Sequence, residues 1–284
     1  MALIRLQRTR SLQTVPSSIA IFDLEQKDAE AGLPKVAASL ADLAGAALDA
    51  ALEFARAELA ASSEFGVFSV EEIDNTGLSI IAMGKCGARE LNYISDVDVI
   101  FVAESRADSL ETDRMLEIAT KLATRMMRAI DGTAREPMLW QVDANLRPEG
   151  KNGPIVRSFE AYEQYYKRWA STWESQALLR AQPIAGDATL VGDFVELIDR
   201  YRYPESLDAA AVTEIRRIKA RVETERLPQG ADPKRTIQDF TIPHSDDDCR
   251  YGIRSYLDYH RRQRAKLHRC HRLCDWCACL GRFP

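Results

Sequence analysis

Two short segments rich in β-branched residues lie on either side of a glycine-containing stretch, and they limit the possible folds of this chain more than any other feature. The segments are Leu78–Met83 and Val97–Val102, and their length, composition and polar or glycine boundaries predict two strands. Gly84 lies between them and favours a loop with one or two helical turns. The chain is therefore expected to be built around a small sheet.

Helical patterns surround these strands. An alanine- and leucine-rich segment from Val36 to Ala61 has the apolar spacing of an amphipathic helix, with Pro34 as its expected start. After the strands we predict a helix at 111–130, a third strand at 138–143, a loop at 147–154, and helices at 159–170, 172–181 and 188–201. Strands confined to the middle of the chain, with helices around them, predict an α+β fold.

Paired carboxylates mark the second strand. Residues two apart on a strand share a face, so Asp96 and Asp98 are expected to project together. Asp143, at the end of the third predicted strand, is the expected third ligand. Ionised carboxylates repel one another unless a cation neutralises them, and hard oxygen ligands favour Mg²⁺. Such a set can hold two cations about 3.5–4 Å apart for phosphoryl-type displacement. The alternative is that the aspartates face solvent on a half-exposed sheet.

The glycine loop points to the same chemistry. Gly84 and Gly87 permit close approach of backbone N–H groups to a phosphate, and a nearby helix start would attract an anion. A glycine loop, a strand with paired aspartates and a third aspartate together indicate metal-assisted phosphoryl or nucleotidyl transfer.

Three sequence blocks resemble one family in order. Residues 84–98 (GKCGARELNYISDVD) look like the nucleotidyltransferase signature of glutamine synthetase adenylyltransferases, and residues 142–150 (VDANLRPEG) and 172–181 (TWESQALLRA) resemble the next two blocks. The resemblance covers roughly residues 21–235. It implies a DNA polymerase β-like nucleotidyltransferase domain with a small central sheet, flanked by helices and followed by a helical region. It also implies Mg²⁺ as cofactor and a tyrosine of glutamine synthetase as substrate.

The resemblance extends to one half of this two-headed family. Residues 89–92 (RELN) resemble the N-terminal half, which removes AMP by phosphorolysis and releases ADP. A fragment containing that half is therefore expected. The partners would be glutamine synthetase, a nucleotide and inorganic phosphate. Two alternatives stay open: ATP-dependent adenylylation at the same type of site, and a catalytically incomplete module that binds glutamine synthetase or a PII-type signalling protein.

Residue roles follow from the resemblance. The implied catalytic residues and metal ligands are Asp96, Asp98 and Asp143. The implied nucleotide- and phosphate-binding residues are Gly84, Lys85, Gly87, Ser95, Arg147 and Lys151. Arg147 has an alternative as a surface residue in a turn. Trp173 and Glu174 are interpreted as a core and cap pair on a helix, and Cys86 as an inert thiol.

Composition changes near residue 236. The last 35 residues carry a charge of +7 and the first 249 carry −12, which argues against nucleic acid as a partner. We predict an N-terminal helical region (1–66), a nucleotidyltransferase core (67–157), a helical region (158–235) and a basic Cys/His-rich tail (236–284) that is out of frame, unrelated or disordered. A zinc site around Cys274 and Cys277 is the alternative for the tail. No apolar run approaches the ~20 residues of a membrane span, so a soluble protein is expected. The family resemblance implies a cytoplasmic location.

Overall fold

A computed structural model of the chain describes residues 18–61, 67–93, 95–131, 139–169, 171–204 and 209–225. Residues 18–24 are helical. The further helices are α1 (Ala29–Ala61), α2 (Val70–Asp74), α3 (Gly84–Gly87), α4 (Thr112–Asp131), α5 (Phe159–Arg168), α6 (Thr172–Leu178), α7 (Ala188–Arg202) and α8 (Ala209–Glu225), with a 3₁₀ turn at Gly150–Asn152. The strands are β1 (Thr76–Ala82), β2 (Val97–Ser105), β3 (Val142–Asp143), β4 (Val156–Ser158) and β5 (Gln182–Gly186).

The five strands form one small mixed sheet in the order β3-β2-β1-β5, with β4 also paired to β2. Strand β1 runs antiparallel to both β2 and β5. Strands β3 and β4 run parallel to β2. The predicted strands at 78–83 and 97–102 are confirmed, and the single helical turn of α3 lies between them as expected.

Helices cover both faces of the sheet. Alternate residues of the central strands, such as Ile80 and Phe101, pack with α1 and α4 in the larger apolar cluster. The residues next to them, Ile81 and Ile100, pack with α5, α6 and α7 in the second cluster. Burial on both faces explains the almost continuous apolar sequence of β1 and β2, since neither face meets water.

Three features of the secondary structure differ from the sequence prediction. Among the described residues the third strand is limited to Val142–Asp143. These two residues pair with the first two residues of β2, Val97 and Asp98. Strands β4 and β5 lie outside the predicted strands, and β5 falls where only helices were expected. Its sequence, QPIAG, contains Pro183 and Gly186, which are depleted in strands, so only pairing with β1 identifies it.

The start of α1 also differs from the prediction. Pro34 lies inside this helix, which begins at Ala29. A proline near the start of a helix removes a single backbone hydrogen bond, and the long buried face from Val36 onward maintains the helix.

The chain divides into two compact units, Met1–Ala211 and Val212–Pro284. The described residues of the second unit belong to α8. The boundaries predicted at residues 66, 157 and 235 stay predictions, and the tail at 236–284 lies outside the described residues. Within the described ranges, no helix is long and apolar enough to span a bilayer.

Two glycines test this packing. A Cβ at Gly87 would collide with the carbonyl oxygen of Arg180 and lie 2.5 Å from that of Ala82, and backbone atoms cannot move aside cheaply. Gly87→Ala is expected to lower the free energy of unfolding by about 2 kcal/mol or more. Gly192→Ala in α7 meets nothing within 4 Å and should raise it by about 0.5–1 kcal/mol. Urea unfolding of both variants measures the difference, and equal stabilities would contradict the packing around Gly87.

Candidate metal centre

Three carboxylates meet where β2 begins beside β3. Parallel pairing places Val97 opposite Val142 and Asp98 opposite Asp143, so the latter two side chains are lateral neighbours on one face of the sheet. Asp96 lies two residues before Asp98, just ahead of β2, and shares its face. One carboxylate oxygen from each aspartate lies within 4.8 Å of the others. The predicted convergence of the three residues is therefore present in the geometry.

The donor set suits a hard divalent cation. Asp96 is exposed, whereas Asp98 and Asp143 are half-buried, so the cluster is open to solvent on one side. Asp143 accepts a hydrogen bond from the backbone N–H of Asn145 at 2.7 Å through Oδ1, which fixes the orientation of its carboxylate. Three carboxylates leave coordination positions for water and substrate oxygens, the arrangement that Mg²⁺ favours. Their roles as metal ligands stay a prediction.

Gly84 brings the glycine turn against the metal centre. Its φ of +53° lies in the left-handed region, and a Cβ at this position would collide with Oδ2 of Asp98. Only glycine meets both conditions without strain. The observed reason for a glycine here is the carboxylate of Asp98, and the predicted approach of its backbone to a phosphate stays a prediction.

The other residues of the first block have defined positions. Gly87 is buried, its N–H donates to the carbonyl of Met83 at 2.9 Å, and its missing side chain makes room for the carbonyl of Arg180. Packing thus accounts for this glycine. The Ser95 hydroxyl is buried and donates to Oδ1 of Asn92 at 2.9 Å. Lys85 is half-buried on α3. Phosphate contacts at these residues stay predictions.

Arg147 holds together the loop that follows β3. It is 7% exposed, so the alternative of a surface residue is wrong. Its Nε donates to the carbonyl of Gly153 at 3.0 Å and its Nη1 to that of Ala144 at 2.7 Å. A longer contact of 3.4 Å joins Nη2 to the carbonyl of Lys151. The guanidinium therefore closes the loop from inside, while the side chain of Lys151 is exposed.

The third sequence block, residues 172–181, includes helix α6 and is held in place by Glu174. Glu174 is 7% exposed and caps α6 by accepting hydrogen bonds from the N–H and hydroxyl of Ser171, both at 2.8 Å, as the cap interpretation predicted. It also accepts from the Tyr165 hydroxyl at 2.8 Å. Trp173 is 42% exposed, so its interpretation as a core residue is wrong. The buried face of this short helix carries Glu174 and Leu178, four residues apart, and Trp173 lies off that face.

Two polar contacts near the centre lacked a sequence signal. Arg180, at the end of the third block, pairs with Glu90 of the loop between α3 and β2. Arg89 in the same loop pairs with Asp42 of α1. The partners in each pair are far apart in sequence, and charged residues on helices are common. Only the fold therefore identifies them.

Cys86 has the environment of an inert thiol, as the sequence interpretation expected. It is 2% exposed on α3. Burial, with smaller contributions from the carboxylates of Asp98 and Asp42, raises the pKa of the Cys86 thiol from 9.0 to about 12. The thiolate required for nucleophilic attack is therefore scarce at neutral pH.

A small mixed sheet covered by helices, with three carboxylates at one strand end and a glycine turn against them, is consistent with a nucleotidyltransferase-like fold. The chain belongs to the glutamate-ammonia ligase adenylyltransferase family, whose sequence model matches residues 6–196. The matched range contains all three aspartates, the glycine turn and the Arg147 loop.

Curated relatives carry the name bifunctional glutamine synthetase adenylyltransferase/adenylyl-removing enzyme. The protein from Leifsonia xyli subsp. xyli is 46% identical over 213 residues, which cover 75% of this chain and 21% of the relative. The Streptomyces coelicolor protein is 51% identical over 160 residues (56% and 16%), and that of Cutibacterium acnes is 40% identical over 208 residues (73% and 19%). The chain thus spans about a fifth or less of the length of these relatives.

The two cations of the β3–β4 connection should respond differently to substitution. In Arg147→Lys a single ammonium cannot reach all the carbonyls that the guanidinium contacts, so the free energy of unfolding should fall by about 1–3 kcal/mol. Lys151→Gln alters an exposed side chain and should leave stability within about 0.5 kcal/mol of the unsubstituted chain. Urea unfolding measures the free energy of unfolding of both variants. Equal losses in the two would contradict the structural role of Arg147.

The Cys86 thiol should resist alkylation in the folded chain. Since its folded-state pKa lies above the ordinary value of 9.0, the thiol stays protonated at pH 8–10, whereas the unfolded thiol ionises above about pH 9. Iodoacetamide treatment followed by peptide mass spectrometry should show Cys86 unmodified without urea and modified in urea. Rapid labelling of Cys86 in the folded chain would contradict this burial.

The same pKa shift means that folding stability falls between about pH 9 and 12, because only the unfolded state then loses the proton.

Proposed function

We propose that this chain carries a Mg²⁺-dependent nucleotidyl-transfer site that removes AMP from a tyrosine of glutamine synthetase by phosphorolysis. The observation that supports it most is the pairing of Asp98 with Asp143, which assembles three carboxylates within 4.8 Å in a chain of this family. The names of the relatives include both adenylyltransferase and adenylyl-removing activities.

The proposed reaction exchanges a phosphoester bond for a phosphoanhydride bond. An oxygen of inorganic phosphate attacks the phosphorus of the adenylyl group and forms a new P–O–P linkage. The bond from that phosphorus to the tyrosine oxygen breaks, the tyrosine oxygen takes up a proton, and ADP is released. Mg²⁺ bound by Asp96, Asp98 and Asp143 would supply neutralisation of charge on the transferring phosphoryl oxygens.

The side chains around the triad divide into binding and supporting groups. The backbone of the Gly84 turn lies against Asp98 and is the proposed path of the phosphate groups, with Lys85 and Gly87 on α3 and Ser95 beside Asp96. Lys151, exposed on the 3₁₀ turn, is proposed to meet negative charge on the transferred group. Arg147 contributes positive potential at the same loop while it holds the loop closed.

The direction of the reaction is proposed from Arg89-Glu90-Leu91-Asn92, the sequence that resembles the deadenylylating half of the family. The second candidate is adenylylation, in which the tyrosine oxygen attacks ATP and pyrophosphate leaves. The bifunctional names of the relatives favour keeping it in the test. Consumption of phosphate with release of ADP marks the first direction, and consumption of ATP marks the second.

The proposed partners are glutamine synthetase as protein substrate and the nucleotide and phosphate that react on it, with a PII-type signalling protein as a possible regulator in a cytoplasmic setting. The third candidate, a catalytically incomplete binding module, differs in its outcome. It would bind glutamine synthetase without metal-dependent turnover.

Removal of one ligand charge tests the metal centre. Asp98→Asn keeps the shape of the side chain and removes its charge, so phosphate-dependent ADP release from adenylylated glutamine synthetase should fall at least about 100-fold. Mn²⁺ binding, followed by electron paramagnetic resonance, should weaken in the same variant. Asp108→Asn changes an exposed turn residue outside the centre and is the matched control.

Each outcome has a distinct meaning. Loss of both activity and Mn²⁺ binding in Asp98→Asn alone supports the proposal. Turnover that persists in Asp98→Asn would contradict a catalytic role for the triad. Binding of glutamine synthetase by a folded, inactive chain would favour the incomplete module.

A further inference from the structure

Two residues other than glycine have left-handed backbone conformations in the described part of the chain. Arg89, with φ of +61°, lies in the loop that leads to Asp96. Glu149, with φ of +63°, lies in the loop that follows Asp143. Side chains other than those of glycine, asparagine and aspartate are disfavoured in this region, and such strain persists only where neighbouring contacts maintain it. In sequence, Arg89 lies seven residues before Asp96 and Glu149 lies six residues after Asp143.

Backbone hydrogen bonds close both turns, from the N–H of Glu90 to the carbonyl of Lys85 and from the N–H of Gly150 to the carbonyl of Arg147, both at 2.8 Å. An ion pair adds a further contact to the strained residue in each loop. The guanidinium of Arg89 is bidentate with Asp42 of α1, and the contact from Nη2 to Oδ2 measures 2.7 Å. Glu149 pairs with Arg157 of β4. The Arg157 guanidinium also lies 5.5 Å from the centre of the Tyr165 ring. Each partner, Asp42 or Arg157, thus belongs to a regular element and offers a fixed anchor to a loop.

The exposure of the Arg89–Asp42 ion pair indicates whether it acts locally or on the stability of the whole chain. The side chains of Arg89 and Asp42 are 46% and 57% exposed, and exposed ion pairs contribute little to unfolding free energy. A local role remains, because the bidentate contact restricts the direction of the Arg89 side chain and adds to the backbone hydrogen bonds that close this turn. The neighbouring loop residues have further anchors: Glu90 pairs with Arg180, and the Tyr93 hydroxyl donates to Asp23 at 3.2 Å.

We propose that Asp42 and Arg157 are positioning residues for the metal centre. Through Arg89 and Glu149 they support left-handed conformations that the backbone hydrogen bonds also favour, and they thereby hold the loops before Asp96 and after Asp143 in the arrangement in which the three aspartates share one cation. This inference rests on the proposed metal site, and it assigns a purpose to two ion pairs that the chemistry of the reaction does not require.

Substitutions at Arg89 separate charge from backbone conformation. Arg89→Gln, Arg89→Asn and Arg89→Gly all remove the ion pair, but tolerance of the left-handed region rises from Gln to Asn to Gly. Mn²⁺ affinity, measured by electron paramagnetic resonance on the full chain, should therefore fall about fivefold in Arg89→Gln, less in Arg89→Asn, and stay near the unsubstituted value in Arg89→Gly. Thermal midpoints should differ by less than about 3 °C across the series.

Substitution of Asp42, the partner of Arg89, tests the proposal independently. Asp42→Asn should weaken Mn²⁺ binding as Arg89→Gln does, and the double variant Asp42→Asn/Arg89→Gly should restore it, because glycine no longer needs the anchor. Glu149→Gln and Glu149→Gly should show the same contrast in the second loop. Glu196→Gln breaks an exposed ion pair with Arg200 on α7 and serves as the control with unchanged affinity.

Amide hydrogen exchange of residues 88–96 distinguishes failure of the positioning role from failure of the metal site. Faster exchange in Arg89→Gln than in Arg89→Gly supports the positioning role even if the unsubstituted chain binds no Mn²⁺, an outcome that would overturn the metal site alone. Equal exchange and equal Mn²⁺ affinity in the Gln and Gly variants would overturn the positioning role. Failure of Arg89→Gly to rescue Asp42→Asn would also overturn it.

Discussion

Parallel pairing between the start of β2 and the two residues of β3 is the constraint on which the site depends. The pairing is short, yet its register sets Asp98 beside Asp143 and leaves Asp96 on the same face. A shift of one residue would turn Asp143 to the opposite face and bring Val142 into its place, which would dissolve the triad. The buried apolar pairs of β1 and β2 maintain this register because they fix β2 within the core.

The face of the sheet also decides which helices surround the site. Asp98 shares its side of β2 with Ile100 and Val102, which pack with α5, α6 and α7. The block at 172–181 packs on the same face through Leu178, and its Arg180 pairs with Glu90 in the loop before β2. The three family blocks, separated along the chain, are thus joined by strand pairing, helix packing and one ion pair.

Cations near the triad have different physical roles. The buried guanidinium of Arg147 satisfies carbonyls inside the loop after β3, whereas the side chain of Lys151 is exposed. The arginines at positions 89 and 157 take part in ion pairs with Asp42 and Glu149. Three carboxylates this close repel one another, and the pairing of β2 with β3 is what brings two of them together.

Local periodicity and a recognisable family block are enough to predict the two central strands, the helices on either side of them and the three aspartates. The short extent of β3, the existence of β4 and β5, and the burial of Arg147 depend instead on contacts between distant parts of the chain. Strand β5 has a composition that disfavours strands and exists because it pairs with β1, which is distant in sequence. Likewise Pro34 is carried inside α1 because the packed face of that helix outweighs the lost hydrogen bond. Side-chain spacing reports local conformation, whereas pairing, burial and left-handed backbone depend on neighbours that only the folded chain brings together.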